Sequence, residues 1–176
     1  MKKLITSLFT ICLLVSAYSL NAQEKAAPSP FSKVEQKVGT TDFTIEYSRP
    51  GVKGRTIFGD LVPYDKMWRT GANAVTKFTI DKDIMVEGET LAAGTYALMT
   101  TPGMSSWKVH FMTYTEGSPR AYGDAKPVLT VSATPQDMGE VKVESFLIFI
   151  DMLRDDSGQL VMAWDNIVVP VNLGVK

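Results

Sequence analysis

The residues best equipped for chemistry lie in one irregular stretch between two alternating segments. It runs Ser48-Arg49-Pro50-Gly51-Val52-Lys53-Gly54-Arg55, then Phe58-Gly59-Asp60, then Trp68-Arg69-Thr70-Gly71-Ala72-Asn73. A guanidinium presents a planar fork to carboxylate or phosphate. An indole offers a flat face to a ring or a cation, and a carboxamide supplies a donor and an acceptor. Arg49, Arg55, Trp68, Arg69 and Asn73, with Tyr96 as a second stacking ring, therefore compose a candidate site for a small anionic or polar ligand, or a glycan. Long irregular segments in compact domains are usually functional loops. A plainer reading stays open: the arginines pair with Asp60, Asp65 or Glu46 and hold the loop down, while Trp68 plugs one end of the fold.

Other chemistries fit less well. His110 is the single imidazole; it sits mid-strand, and no serine lies in a Gly-x-Ser-x-Gly elbow, so it reads as structural. Two carboxylates would suffice to hydrolyse a glycosidic bond, but nothing in the spacing selects a pair. The Gly-rich stretch lacks the Gly-x-x-x-x-Gly-Lys-Ser/Thr spacing of a phosphate loop, and no helix follows it. Asp151, Asp155, Asp156 and Gly158 miss the spacing of a calcium loop and read as a solvated turn. One Cys and one His cannot make a zinc site of those ligand types alone. No metal and no cofactor is expected.

The elements that must position the loop are strands. Phe43, Ile45 and Tyr47 alternate with Thr44 and Glu46. Ile84–Val86 and Thr90-Leu91 flank Glu87-Gly88-Glu89, a tight hairpin. A strand follows Gly94 through Tyr96, Leu98 and Thr100; another alternates Trp107, Val109 and Phe111 with Lys108, His110 and Met112. Two more run from Lys142 to Asp151 and from Gln159 to Trp164, either side of an Asp155-Asp156-Ser157-Gly158 turn. Ile167, Val169, Val171 and Leu173 close the series, with Pro170 marking an edge or a bulge. The scattered methionines read as core filler. One turn of helix near Tyr64 to Trp68 is all the helical period the chain offers. This pattern predicts an all-β fold, a single antiparallel β-sandwich or barrel-like domain over residues 31–176. Phe146 to Ile150 is continuously apolar, which predicts a central strand under a long loop of the chain, or under a partner subunit.

Before that domain lies an address. Lys2 and Lys3 precede an apolar run from Leu4 to Leu20, then Asn21-Ala22-Gln23, the layout of a secretory signal over residues 1–22. Cys12 is mid-run, with Leu13, Leu14 and Val15 behind it, which argues against lipid attachment. Cleavage after Ala22 removes the only cysteine, so the exported chain is expected to fold without a disulfide in the periplasm or outside the cell. No membrane span would then remain. Residues 23–30 are rich in Ala, Pro and Ser and read as a disordered lead-in. The 176 residues carry a formal net charge of −1, with 45% hydrophobic and 21% charged side chains. That balance excludes a basic nucleic-acid binder and a disordered chain.

Several blocks resemble those of one family. Tyr47-Ser48-Arg49-Pro50, Lys53-Gly54-Arg55, Phe58-Gly59, Val62-Pro63-Tyr64, Trp68-Arg69-Thr70-Gly71-Ala72-Asn73, Ala93-Gly94-Thr95-Tyr96 and Trp107 together resemble an uncharacterised bacterial exported family, domain of unknown function 2911. The resemblance implies a small secreted or periplasmic β-rich protein and assigns neither activity nor ligand. Three functional classes follow. The leading one is a non-catalytic envelope module binding an anion, polar ligand or glycan at the arginine–tryptophan loop. The others are a hydrolase acting on polysaccharide and an assembly protein using a flat apolar face. The oligomeric state stays open.

Overall fold

A computed structural model describes residues 26–116 and 119–175; the signal segment expected over residues 1–22 lies outside them. In chain order the strands are β1 (Phe31–Val38), β2 (Thr41–Ser48), β3 (Thr76–Ile80), β4 (Ile84–Val86), β5 (Glu89–Leu91), β6 (Gly94–Thr101), β7 (Trp107–Thr113), β8 (Leu129–Ala133), β9 (Gln136–Asp137), β10 (Val143–Arg154), β11 (Ser157–Asp165) and β12 (Ile167–Gly174). They form two antiparallel sheets, ordered β1-β2-β3-β6-β7-β8 and β10-β11-β12-β4-β5, with β9 added to β12. The fold is a sandwich, and its sheets do not close into a barrel.

The period-two pattern explains the core. Phe43, Ile45 and Tyr47 of β2, Phe78 of β3, Leu98 of β6 and Val109 and Phe111 of β7 all point inward from the first sheet. Phe146, Ile148 and Ile150 of β10, Leu160, Met162 and Trp164 of β11, and Val169, Val171 and Leu173 of β12 meet them from the second. Between β4 and β5 the two loop residues Glu87 and Gly88 both take positive φ, 48° and 87°. That is the mirror-image turn whose twist matches a hairpin.

Three features depart from the sequence reading. The first is a layer over the outer face of β7, where His110 and Met112 are both buried, Met112 as the core filler it reads as. Tyr114 and Tyr122, from the segment that follows β7, pack on that face in a second, smaller cluster with Val75, Ala97, Met99 and Met112. The Tyr122 hydroxyl fastens this cover, donating to the Thr115 carbonyl (2.6 Å) and accepting from the Thr115 N–H (2.9 Å). The short helical turn belongs here too, at Pro119–Tyr122; Tyr64 to Trp68 is not helical and ends in a bridge from Trp68 to Thr100.

The second departure concerns β10, which is a border strand and not a central one. Its run of apolar residues has two causes. Phe146, Ile148 and Ile150 fill the core, while the half-buried Leu147 and Phe149 lie opposite Ala163 and Val161 on the outer face. The border itself is closed by other groups. The Tyr47 hydroxyl accepts from the Ile148 N–H (2.9 Å) and donates to the Ile148 carbonyl (3.2 Å). Arg49 Nε donates to the Phe146 carbonyl (2.9 Å), and the Phe146 and Val52 N–H groups bond to the Pro50 and Glu144 carbonyls.

The third concerns Pro170, which sits within β12 opposite Val161 of β11. On the other side of β12, β9 pairs at residues 167–168 and β4 at 173–174. The proline occupies the gap between them, where no ladder donor is needed.

Candidate functional site

Residues 49–75 connect β2 to β3 and tie themselves to both sheets. Trp68 exchanges backbone hydrogen bonds with Thr100 of β6 (2.7 and 2.9 Å). Its indole reaches across to the second sheet, stacking on Trp164 at 5.7 Å between centroids and 18° between planes, and meeting Phe146 edge-on at 5.1 Å. Phe58 lies against both Trp107 and Trp164. An aromatic stack of this kind fixes the loop to the core by area and by ring geometry.

Local backbone geometry then aims Arg69. Thr70 is fully buried and has φ of 55°, an uncommon conformation for a β-branched residue. It is held there by its neighbours: its hydroxyl donates to the Thr100 hydroxyl (3.1 Å), and its carbonyl accepts from the Thr76 hydroxyl (2.5 Å). At Gly71 (φ 155°) a Cβ would stand 3.1 Å from the Ser48 carbonyl oxygen, so close backbone approach requires glycine. Asn73 also takes positive φ, 58°. Such outliers persist only where surrounding structure over-determines them, and they cluster at functional sites.

The result is a cavity of about 260 Å³. Arg55, Arg69 and Trp68 line it together with Trp164, Leu61, Val62, Pro50, Ser29, Gly71 and Ala72. No acidic residue is among them. Neither Arg49, Arg55 nor Arg69 has a carboxylate partner among the described residues, and Glu46 is taken by Lys77 at 3.0 Å. The pairing of these arginines with Asp60, Asp65 or Glu46 is therefore not what the structure contains. Arg55 is exposed and braces its own turn through Nε to the Val52 carbonyl (3.1 Å) and Nη2 to the Gly51 carbonyl. Arg69 is half-buried, and its Nε is buried without a hydrogen-bond partner. Trp164, 2% exposed, has an equally unpartnered Nε1, whereas Trp68 Nε1 donates to the Gly71 carbonyl (3.1 Å). Two sequestered N–H donors beside two cations favour an acceptor with negative charge.

The six residues named from sequence divide accordingly. Arg55, Trp68 and Arg69 converge on the cavity. Arg49 closes the border of β10. Asn73 Nδ2 bonds to the Ser48 hydroxyl (3.2 Å) and the Ser29 carbonyl (3.3 Å), so it holds the rim in place. Tyr96 is apart from the cavity; it packs edge-on against Phe111 and donates to the Ala92 carbonyl (2.7 Å). Trp164 and Ser29 are what sequence reasoning missed. Parity with Leu160 and Met162 places Trp164 on the core face, but nothing in the sequence says which loop it meets. Ser29 belongs to a segment read as a disordered lead-in, whose last residues are tied down: Lys53 Nζ donates to the Pro28 carbonyl (3.1 Å) and the Arg49 N–H to the Pro30 carbonyl (2.9 Å).

His110 stands elsewhere, 7% exposed on the outer face of the first sheet. Its two ring nitrogens contact the Thr101 (3.0 Å) and Thr130 (2.9 Å) hydroxyls. Burial, assisted by the nearby Lys108 charge, holds its pKa below the ordinary 6.5. No carboxylate orients the ring.

Fold and cavity together define an antiparallel two-sheet sandwich with a cationic, aromatic-walled pocket built on the β2–β3 loop. The family model described as a protein of unknown function (DUF2911) matches residues 29–173, and the chain belongs to that family. No curated protein and no solved structure matches it.

Proposed function

We propose that this chain is an exported, non-catalytic binding module that holds a small anion in the cavity formed by Arg55, Trp68, Arg69 and Trp164. The observation that carries the reading is Arg69: a cation with a buried, unpartnered Nε and, among the described residues, no carboxylate partner and no acid in the cavity wall. A guanidinium left in that state is stabilised when an anionic acceptor arrives. Export rests on the basic, apolar and small-residue order of residues 1–22. A hydrolase would need two acids facing one cleft, and the described residues lining this cavity include none.

The test is thermal unfolding across concentration series of acetate, benzoate, hexanoate and phosphate. A saturating rise in Tm with at least one of them, lost in Arg69→Ala and kept in Arg49→Ala, supports the reading, because a ligand that binds only the native state stabilises it. If no anion gives a saturating rise, or if Arg69→Ala responds as the unaltered chain does, the reading fails.

A further inference from the structure

Resting on that anion-binding reading, we infer that the ligand is a monocarboxylate with a compact apolar body, an arylcarboxylate or a short aliphatic acid. The argument begins with the available donors. Arg55 has Nε and Nη2 committed to its own loop carbonyls. Among the described residues, Arg69 is thus the cavity guanidinium whose Nε has no internal hydrogen bond. One fork matches one carboxylate in a bidentate pair. A phosphate dianion needs more compensation when it leaves water, typically several main-chain N–H groups at a helix N-terminus. The helical turn described in this chain, Pro119–Tyr122, does not border the cavity.

The walls point the same way. Two indoles, Leu61, Val62, Pro50 and Ala72 are six of the ten lining residues, and apolar atoms make up about half of the wall. Inorganic phosphate or sulfate would leave those walls wetted, whereas a ring or alkyl chain would cover them and gain roughly 0.8 kcal/mol per buried methylene. Leu61, 44% exposed, is a large apolar residue that such a body would cover. At about 260 Å³ the space falls just below the usual range of ligand pockets, roughly 300–1,000 Å³. That limits the body to about one ring or a short chain and excludes long acyl chains from full enclosure.

Trp68 and Trp164 supply the readout, since both line the cavity. Tryptophan emission of the unaltered chain is titrated with benzoate, hexanoate, acetate, phosphate and the neutral benzamide at constant ionic strength. The expected result is a saturating change with benzoate and hexanoate at least about tenfold tighter than with acetate or phosphate, and none with benzamide. If phosphate or acetate binds as tightly as benzoate and hexanoate, the carboxylate inference is overturned while anion binding stands. If benzamide equals benzoate, or nothing binds, both are overturned. Arg69→Lys keeps a charge but removes the fork; it is expected to weaken benzoate at least about tenfold, and unchanged binding would count against the bidentate pairing. The comparison among ligands needs no variant, so a folding defect in the mutant leaves it decisive.

Discussion

At the scale of single residues, the site is made by a few N–H groups that the fold buries and leaves without acceptors. Arg69 Nε and Trp164 Nε1 each forgo a hydrogen bond, a cost of about 1–3 kcal/mol per buried group. Arginine and tryptophan at positions 68 and 69 are legible in the sequence as chemistry-bearing types, and Arg55 with them. What is not legible is the difference between Arg69 and Arg49. Both belong to the same loop, yet one lines the cavity and the other bonds to a carbonyl nearly a hundred residues away. Only the three-dimensional position of β10 separates them.

His110 gives a prediction at the same scale. Its pKa is depressed in the folded chain by burial, with Lys108 adding to the effect. Between that depressed value and 6.5 the unfolded chain binds more protons than the folded one, so stability rises with pH. The contribution is complete above about pH 6.5 and is lost as pH falls through the folded pKa. Urea midpoints at pH 7.5 and 5.5 are expected to differ more for the unaltered chain than for His110→Gln, which has no titrating ring. Equal pH dependence in the two proteins would refute the assignment.

At the scale of elements, period-two alternation made most strands readable, because one face of each is buried and the code repeats every second residue. It failed where a second layer intervened. The packing of Tyr114 and Tyr122 on Met112 at the outer face of β7 is not foretold by alternation, and β10 reads as a central strand because its outer residues pack sideways on Val161 and Ala163. One of the groups that close the border of β10 is a hydroxyl. Tyr47→Phe removes the group that bonds both the N–H and the carbonyl of Ile148, at a position only 2% exposed. The expected loss is about 1–3 kcal/mol of unfolding free energy, read from urea denaturation, with the anion response of the cavity retained. A loss below the error of that measurement would mean that the hydroxyl contributes little.

At the scale of the whole molecule, the contacts that define the fold join distant parts of the chain. Tyr47 and Ile148 are 101 residues apart in sequence, and the stack of Trp68 on Trp164 needs both sheets in place. Which sheet each strand joins depends on such crossings, and local pattern carries no information about them. A sandwich built on non-local pairing folds slowly, because the chain must close long loops before most contacts form. Refolding followed by tryptophan emission in a stopped-flow instrument is therefore expected to take milliseconds to seconds. Completion within the dead time of mixing would contradict that expectation.

The closed border of β10 has a further result for the molecule as a population. A strand of twelve residues with free donors and acceptors along one side is a template for a foreign backbone, and templating of that kind seeds fibrils. Here a phenol and a guanidinium occupy the hydrogen-bond positions at residues 146 and 148. An invading chain would have to displace them both. The sandwich is thereby self-terminating along that stretch, whichever neighbour is pressed against it.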